Sequence, residues 1–232
     1  MDLKLKDVAE LLNVSEATVR RWISDGKIPY YRLNQQLRFN RSEIESWLLS
    51  SKQEGEFAAF NDETSFGSHQ FGLFRAIYRG GVYRDILGHT KEEVIRNSMS
   101  LIAEHLHLDA EVITELLLDR EQLMPTSLAN GVGVPHTRDF LLQESYDVVS
   151  VVFPKDPIEY GALDGQPVDM LFFLFACDDK RHLHLLAKLA HLGSKPENLA
   201  FLRHRPEKED LLDYIKKWEV GLKPVREFAV SH

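Results

Sequence analysis

Val8-Ala9-Glu10-Leu11-Leu12-Asn13-Val14-Ser15-Glu16-Ala17-Thr18-Val19-Arg20-Arg21-Trp22 is the stretch from which the rest of this chain can be read. With Leu5, the residues Val8, Ala9 and Leu12 keep the i, i+3, i+4, i+7 spacing of a helix with one apolar face. Asn13 and Ser15 break that period. Ser15 is a good N-cap, and Val19, Trp22 and Ile23 give a second helix its own apolar stripe. Asp25-Gly26-Lys27 ends that helix, with Gly26 in the C′ position. Tyr30 to Leu33 and Leu37 to Asn40 read as two short strands around the polar turn Asn34-Gln35-Gln36. Asn40 followed by Glu43 is a capping signature for a third helix that carries Ile44, Trp47 and Leu48. The predicted order is helix, turn, helix, β-hairpin, helix.

The second helix packs Val19, Trp22 and Ile23 and leaves Ser15, Thr18, Arg20 and Arg21 on its free face. A helix that enters the major groove needs such a polar, basic face, and arginine grips guanine or phosphate. Lys27 follows at the junction, and Arg32 and Arg38 lie on the hairpin where a wing meets the backbone. Residues 1–52 hold nine basic and seven acidic side chains, a net of +2, which leaves −10 for the remainder of a chain whose total is −8. A local basic patch on an acidic protein points to a polyanion partner for that patch alone. Val14-Ser15, Thr18-Val19-Arg20-Arg21-Trp22, Asp25-Gly26-Lys27-Ile28-Pro29, Arg38-Phe39 and Ile44-Glu45-Ser46-Trp47-Leu48 together resemble the excisionase-like, MerR-related class of small winged-helix domains. The resemblance covers about residues 3–50 and implies DNA as the partner of residues 1–50. So few base-contacting residues fit a homodimer on paired half-sites better than a lone monomer.

Residues 49–69 are rich in Ser, Glu, Asp, Asn and Gly, so 53–86 are expected to be a linker or a docking or dimerisation segment. A second domain is expected over 87–220, with a tail at 221–232. In it Thr90 and Glu93 cap one helix, and others are predicted near 109–119, 180–192, 197–203 and 207–218. Val148 to Phe153 and Met170 to Ala176 read as buried strands. The fold class expected is multidomain α+β: a small winged helix, then an α/β domain with a mixed sheet flanked by helices. No stretch reaches the roughly 18 apolar residues of a membrane span. The N-terminus carries no basic-then-apolar leader, and the single Cys177 cannot form an internal disulfide, so cytoplasm is the expected compartment.

Gly131-Val132-Gly133-Val134-Pro135-His136 is the second informative stretch. Glycines let the backbone approach a partner and free amides for an anion. A neutral imidazole is a nucleophile at pH 7, whereas a hydroxyl needs a base. Phosphoryl transfer rests on positioning and charge stabilisation, so a nearby arginine and a second histidine are wanted, and Arg120 and His182 are candidates. His182 and His184 are two apart and diverge on a helix, so no metal-ligand set is expected, nor any cofactor.

Leu117 to Glu121, Leu123, Thr126, Gly131 to His136, Asp164-Gly165-Gln166-Pro167-Val168-Asp169 and His182-Leu183-His184-Leu185-Leu186 resemble the fructose/mannitol-type IIA domain of the bacterial phosphotransferase system, with its nitrogen-regulatory branch the nearer match. The resemblance spans about residues 88–220. It implies a phosphocarrier rather than a metabolic enzyme: His136 would accept a phosphoryl group from an HPr-type carrier protein, with Arg120 and His182 in the family's arginine and second-histidine positions. Thr137-Arg138 and Asn130 depart from the family's usual residues. The leading expectation is a gene regulator that senses phosphotransferase status. The rivals are a phosphocarrier component for sugar uptake and a regulatory module that binds partner proteins.

Overall fold

The computed structural model describes residues 2–12, 14–50, 72–137 and 146–221. The expected linker up to residue 71, Arg138 and the tail from 222 lie outside the described residues. The N-terminal unit holds α1 (Leu5–Leu12), α2 (Glu16–Ser24) and α3 (Arg41–Ser50). Its antiparallel sheet has the order β1-β3-β2, from β1 (Asp2–Lys4), β2 (Tyr31–Leu33) and β3 (Gln36–Asn40). The capping logic holds at the atomic level. Ser15 Oγ accepts from the Thr18 amide at 3.1 Å, and the helix stops at Gly26, whose φ of +66° suits a residue without Cβ. Asn34 and Gln35 both take left-handed φ, the turn a two-residue hairpin favours, so Gln36 joins the strand. The strand β1 escapes sequence reading because three residues give no alternation to detect.

The larger unit is a four-stranded mixed sheet of order β4-β6-β7-β5, built from β4 (Val82–Ile86), β5 (Val132–Gly133), β6 (Val148–Pro154) and β7 (Met170–Phe175). Strands β6 and β7 run antiparallel, while β4 and β5 run parallel to their neighbours. Alternate residues of the two central strands serve two separate cores. Val149, Val151, Phe172 and Leu174 face α4 (Leu73–Gly80), α7 (Asp179–Ser194), α8 (Pro196–Arg203) and α9 (Lys208–Gly221). Val148, Val152, Leu171 and Phe173 face α5 (Lys91–Leu106) and α6 (Ala110–Leu123). A sheet with both faces covered reads as continuous apolar strands, as Met170 to Phe175 does.

The boundary expected at residue 87 falls inside this fold. Helix α4 lies on the sheet and β4 is its edge strand, paired in parallel with β6. Glu219 on α9 accepts from the Leu73 and Phe74 amides at 2.7 and 3.2 Å, so the far end of the unit caps the start of α4. The composition shift that suggested a linker ends before Leu73.

The two units share one core. Leu5, Val8, Leu12, Ile44 and Leu48 belong to the same buried apolar cluster as Leu183, Leu186 and Leu189 of α7. Helices α1 and α3 pack directly on α7. Arg41 to Asp179 (2.9 Å) and Lys180 to Glu10 (3.1 Å) are ion pairs across that seam.

Candidate functional site

His136 lies just beyond β5, bridged in parallel to Leu174 of β7, and is fully buried. Its Nδ1 stands 2.7 Å from the Val134 carbonyl oxygen. A carbonyl only accepts, so Nδ1 carries the proton and donates, which makes Nε2 the nitrogen available for chemistry. The Gly131 and Gly133 pair, read as an anion cradle, is also required by the fold. A Cβ on Gly133 would sit 2.5 Å from Leu171 Cδ2, and Gly131, at φ +82°, accepts from the Asp169 amide at 2.9 Å. The Asp164 to Asp169 segment buttresses this turn. Asp164 accepts from the Asn130 amide at 2.8 Å, and Asn130 holds φ +66°, a conformation asparagine tolerates.

Arg120 leaves the last turn of α6 and is buried; its Nη1 donates to Met124 O at 3.0 Å. Its neighbour Glu121 ties down the same loop, accepting from the Thr126 amide and hydroxyl and from Tyr160 OH at 2.8 Å. Burial pushes the Glu121 carboxyl up, against the lowering effect of the Thr126 amide. His182 comes from the first turn of α7, where Asp178 caps the helix through the Arg181 amide at 2.8 Å. The His136 and His182 rings meet edge-on with centroids 4.9 Å apart. Burial, then the charge on His136, holds His182 well below the ordinary histidine value, so it is a neutral imidazole. The three residues expected to carry phosphoryl chemistry therefore stand together.

A fourth residue completes the cluster, and it comes from the other unit. Glu45 of α3 is fully buried, with Oε1 3.0 Å from His136 Nε2 and 2.9 Å from Arg120 Nη2. Burial alone would raise its carboxyl, but the hydrogen bond and charge of His136, followed by the hydrogen bond of Arg120, hold it well below the usual carboxylate range. Sequence reasoning missed Glu45, whose only local signal is its place in the i, i+4 row of Leu49, beside Ile44 and Leu48 of the same core. Ligand atoms of Glu45, His136 and His182 lie within 4.8 Å of one another. The Arg120 guanidinium on the same carboxylate oxygen opposes a cation there.

The residues predicted to face DNA divide into two groups. Arg20, Arg21, Lys27 and Arg32 are exposed. Thr18 is buried, and its hydroxyl lies 2.9 Å from Ser15 Oγ, so both side chains are committed to the start of α2. Arg38 is half-buried and turns to Gln36 Oε1 (2.6 Å) and Leu37 O (3.1 Å). Cys177 is half-buried with its Sγ 2.7 Å from Arg181 Nη1.

Residues 80–218 match the family model described as phosphoenolpyruvate-dependent sugar phosphotransferase system, EIIA 2, a span of more than half the chain. This chain belongs to that EIIA family. Residues 3–52 match a helix-turn-helix domain model. The IIA domain is similar to a nitrogen regulatory protein of Pseudomonas aeruginosa, 33% identical over 135 residues, 56% of this chain and 86% of that protein. The helix-turn-helix is similar to transcriptional repressor DcmR of Methylorubrum extorquens, 43% identical over 53 residues, 22% of this chain and 20% of that one. In fold, the crystal structure of nitrogen regulatory protein IIA-Ntr from Neisseria meningitidis superposes with a TM-score of 0.51 at 23% identity, over 59% of this chain and 93% of that one. No helix among the described residues is long and apolar enough to cross a membrane.

Half-buried His184 and buried His191 set a pH dependence in the IIA domain. Burial, followed by nearby lysine charge, lowers His184 to about 3 and His191 to about 4. Unfolded histidine titrates near 6.5, so between that value and the folded ones the unfolded chain binds more protons and stability rises with pH. The melting temperature is expected to fall as pH drops from 7.5 to 5, by about 1–2 kcal/mol of stability per histidine at the lower end. Glu45 adds nothing to this window, because its contribution is lost only below about 4.5, the ordinary carboxylate value. Thermal unfolding of the chain and of His184→Gln checks it, and the variant is expected to show the shallower fall.

Proposed function

We propose that this chain is a DNA-binding transcriptional regulator whose IIA domain accepts a phosphoryl group on His136 from an HPr-type carrier and so reports phosphotransferase status. The observation that carries this reading is the fixed orientation of His136: Nδ1 is held by Val134 O, and Nε2 faces the Glu45 oxygen that Arg120 also holds, with the His182 ring 4.9 Å away. In the transfer, the Nε2 lone pair attacks phosphorus while the P–N bond of the carrier's phosphohistidine breaks, its electron pair returning to the carrier's imidazole. Arg120 stabilises the equatorial oxygens. The excisionase or MerR-like winged helix would read DNA through Arg20, Arg21 and Lys27, with Arg32 on the wing, as a homodimer on paired half-sites in the cytoplasm.

Purified chain incubated with phosphoenolpyruvate and the general phosphotransferase enzymes should gain an acid-labile phosphoryl mass that His136→Ala does not. Arg20→Ala with Arg21→Ala should weaken DNA binding by about 10- to 100-fold and flatten its salt dependence. Failure to label with every carrier tried would leave a regulatory module without phosphoryl chemistry. Unchanged DNA affinity in the arginine variant would sink the DNA-reading role of α2.

A further inference from the structure

His136 has no route to another protein in this arrangement. It is fully buried, and the side chain over its reactive nitrogen belongs to the chain's own α3. Nδ1 already donates to Val134, and the Glu45 carboxylate fills the 3.0 Å approach to Nε2, the side from which phosphorus must be attacked. Glu45 also takes the Arg120 Nη2 donor, the group suited to a phosphoryl oxygen.

We propose that the face of the IIA domain around His136 is a docking surface whose resident partner is this chain's own winged helix, with the Glu45 carboxylate standing where a phosphoryl group would sit, so that docking and phosphorylation exclude each other. The proposal rests on the phosphoacceptor reading of His136. A phosphorus bonded to Nε2 would have to lie in the 3.0 Å between that nitrogen and Glu45 Oε1. It would also remove the charge-assisted bond from His136 and set a dianion against a buried carboxylate. Both effects favour release of α3. The seam around the plug is of a kind that can open: Arg41 to Asp179 and Glu10 to Lys180 are ion pairs between partly or largely exposed side chains. The docked state leaves Arg20, Arg21, Lys27 and Arg32 exposed, so phosphorylation would change how the DNA-reading face is held and not whether it is covered. The carrier protein and the winged helix would compete for one face.

The test uses the full chain, labelled from phosphoenolpyruvate through the carrier, with hydrogen exchange of α1, α3 and α7 read before and after. Glu45→Ala should label about 100-fold faster than the parent, since one partner of a buried charge cluster has gone. Phosphorylated parent chain should lose amide protection along the α1 and α3 contact with α7. Lys180→Glu, which breaks an exposed seam pair, should also label faster, and Glu10→Lys with Lys180→Glu should return the parental rate. Glu45→Ala labelling at the parental rate, or a phosphorylated chain that keeps its protection, would overturn the proposal. If Glu45→Ala opens the seam and still takes no label from any carrier, the phosphoacceptor reading itself fails, and with it the exclusion. If the seam stays closed without Glu45, the plug fails on its own.

Discussion

In a Glu45→Ala background, Arg120→Ala is expected to slow phosphoryl transfer to His136 by about 10³-fold, some 4 kcal/mol of transition-state stabilisation. The background matters because Arg120 has two duties. It is the buried guanidinium beside the acceptor nitrogen, and it also holds the carboxylate that blocks that nitrogen. In the parent chain Arg120→Ala removes both. Losing the grip on Glu45 opens the seam, while losing the guanidinium leaves the developing phosphoryl charge without a bidentate donor. The single variant therefore understates the chemical loss, and the cycle of parent, Glu45→Ala, Arg120→Ala and the double variant separates the two. A large coupling is expected from the cycle, because both side chains meet at one oxygen. Arg120→Lys keeps the charge and loses the fork, so it should recover only part of the rate. Additive single effects would mean that Arg120 serves transfer alone and that Glu45 is a bystander to it. Single-turnover labelling followed by intact mass reads all four chains.

Most helices and the two central strands were legible because they depend on local rules: Ser15 and Thr90 are capping side chains that accept from an amide three residues on, and β6 and β7 are apolar throughout. His136, Arg120 and His182 were found from motif and resemblance, and the structure brings them together. What escaped were facts of tertiary position. Glu45 was read as one of seven acids and as part of the winged-helix pattern, with no role at His136, since nothing within ten residues says that α3 will lie on α7. Thr18 was placed on the free face of α2 because the wheel alone does not show that Ser15 would bind its hydroxyl. Gly131 and Gly133 suggested an anion cradle, and the sequence did not show that Asp169 and Leu171 also crowd them across the strand pair.

Gly80→Ala is expected to cost about 3 kcal/mol, at the upper end of overpacking effects, and to lower the melting temperature by about 10 °C. The reason is contact with backbone that has nowhere to move. A Cβ on Gly80 would stand 2.3 Å from the Val149 carbonyl oxygen and 2.7 Å from the Ser150 amide nitrogen. Both belong to β6, paired on one side with β4 and on the other with β7. The same approach is fastened by Ser150 Oγ donating to Gly80 O at 2.9 Å and by the Val151 amide donating to Gly81 O at 3.0 Å. A methyl group at this point must lift the end of α4 off the sheet and break those bonds, which also strains the turn into β4. Gly193→Ala on α7 is the internal control. Its Cβ would meet Val132 Cγ2 at 3.4 Å, an ordinary contact, and replacing a helical glycine by alanine gains up to about 1 kcal/mol. Thermal unfolding of the two variants should therefore move in opposite directions, or leave Gly193→Ala unmoved while Gly80→Ala falls. Equal behaviour would mean that α4 is not seated on β6, and that the segment before Leu87 is the loose connection its neighbouring composition suggests.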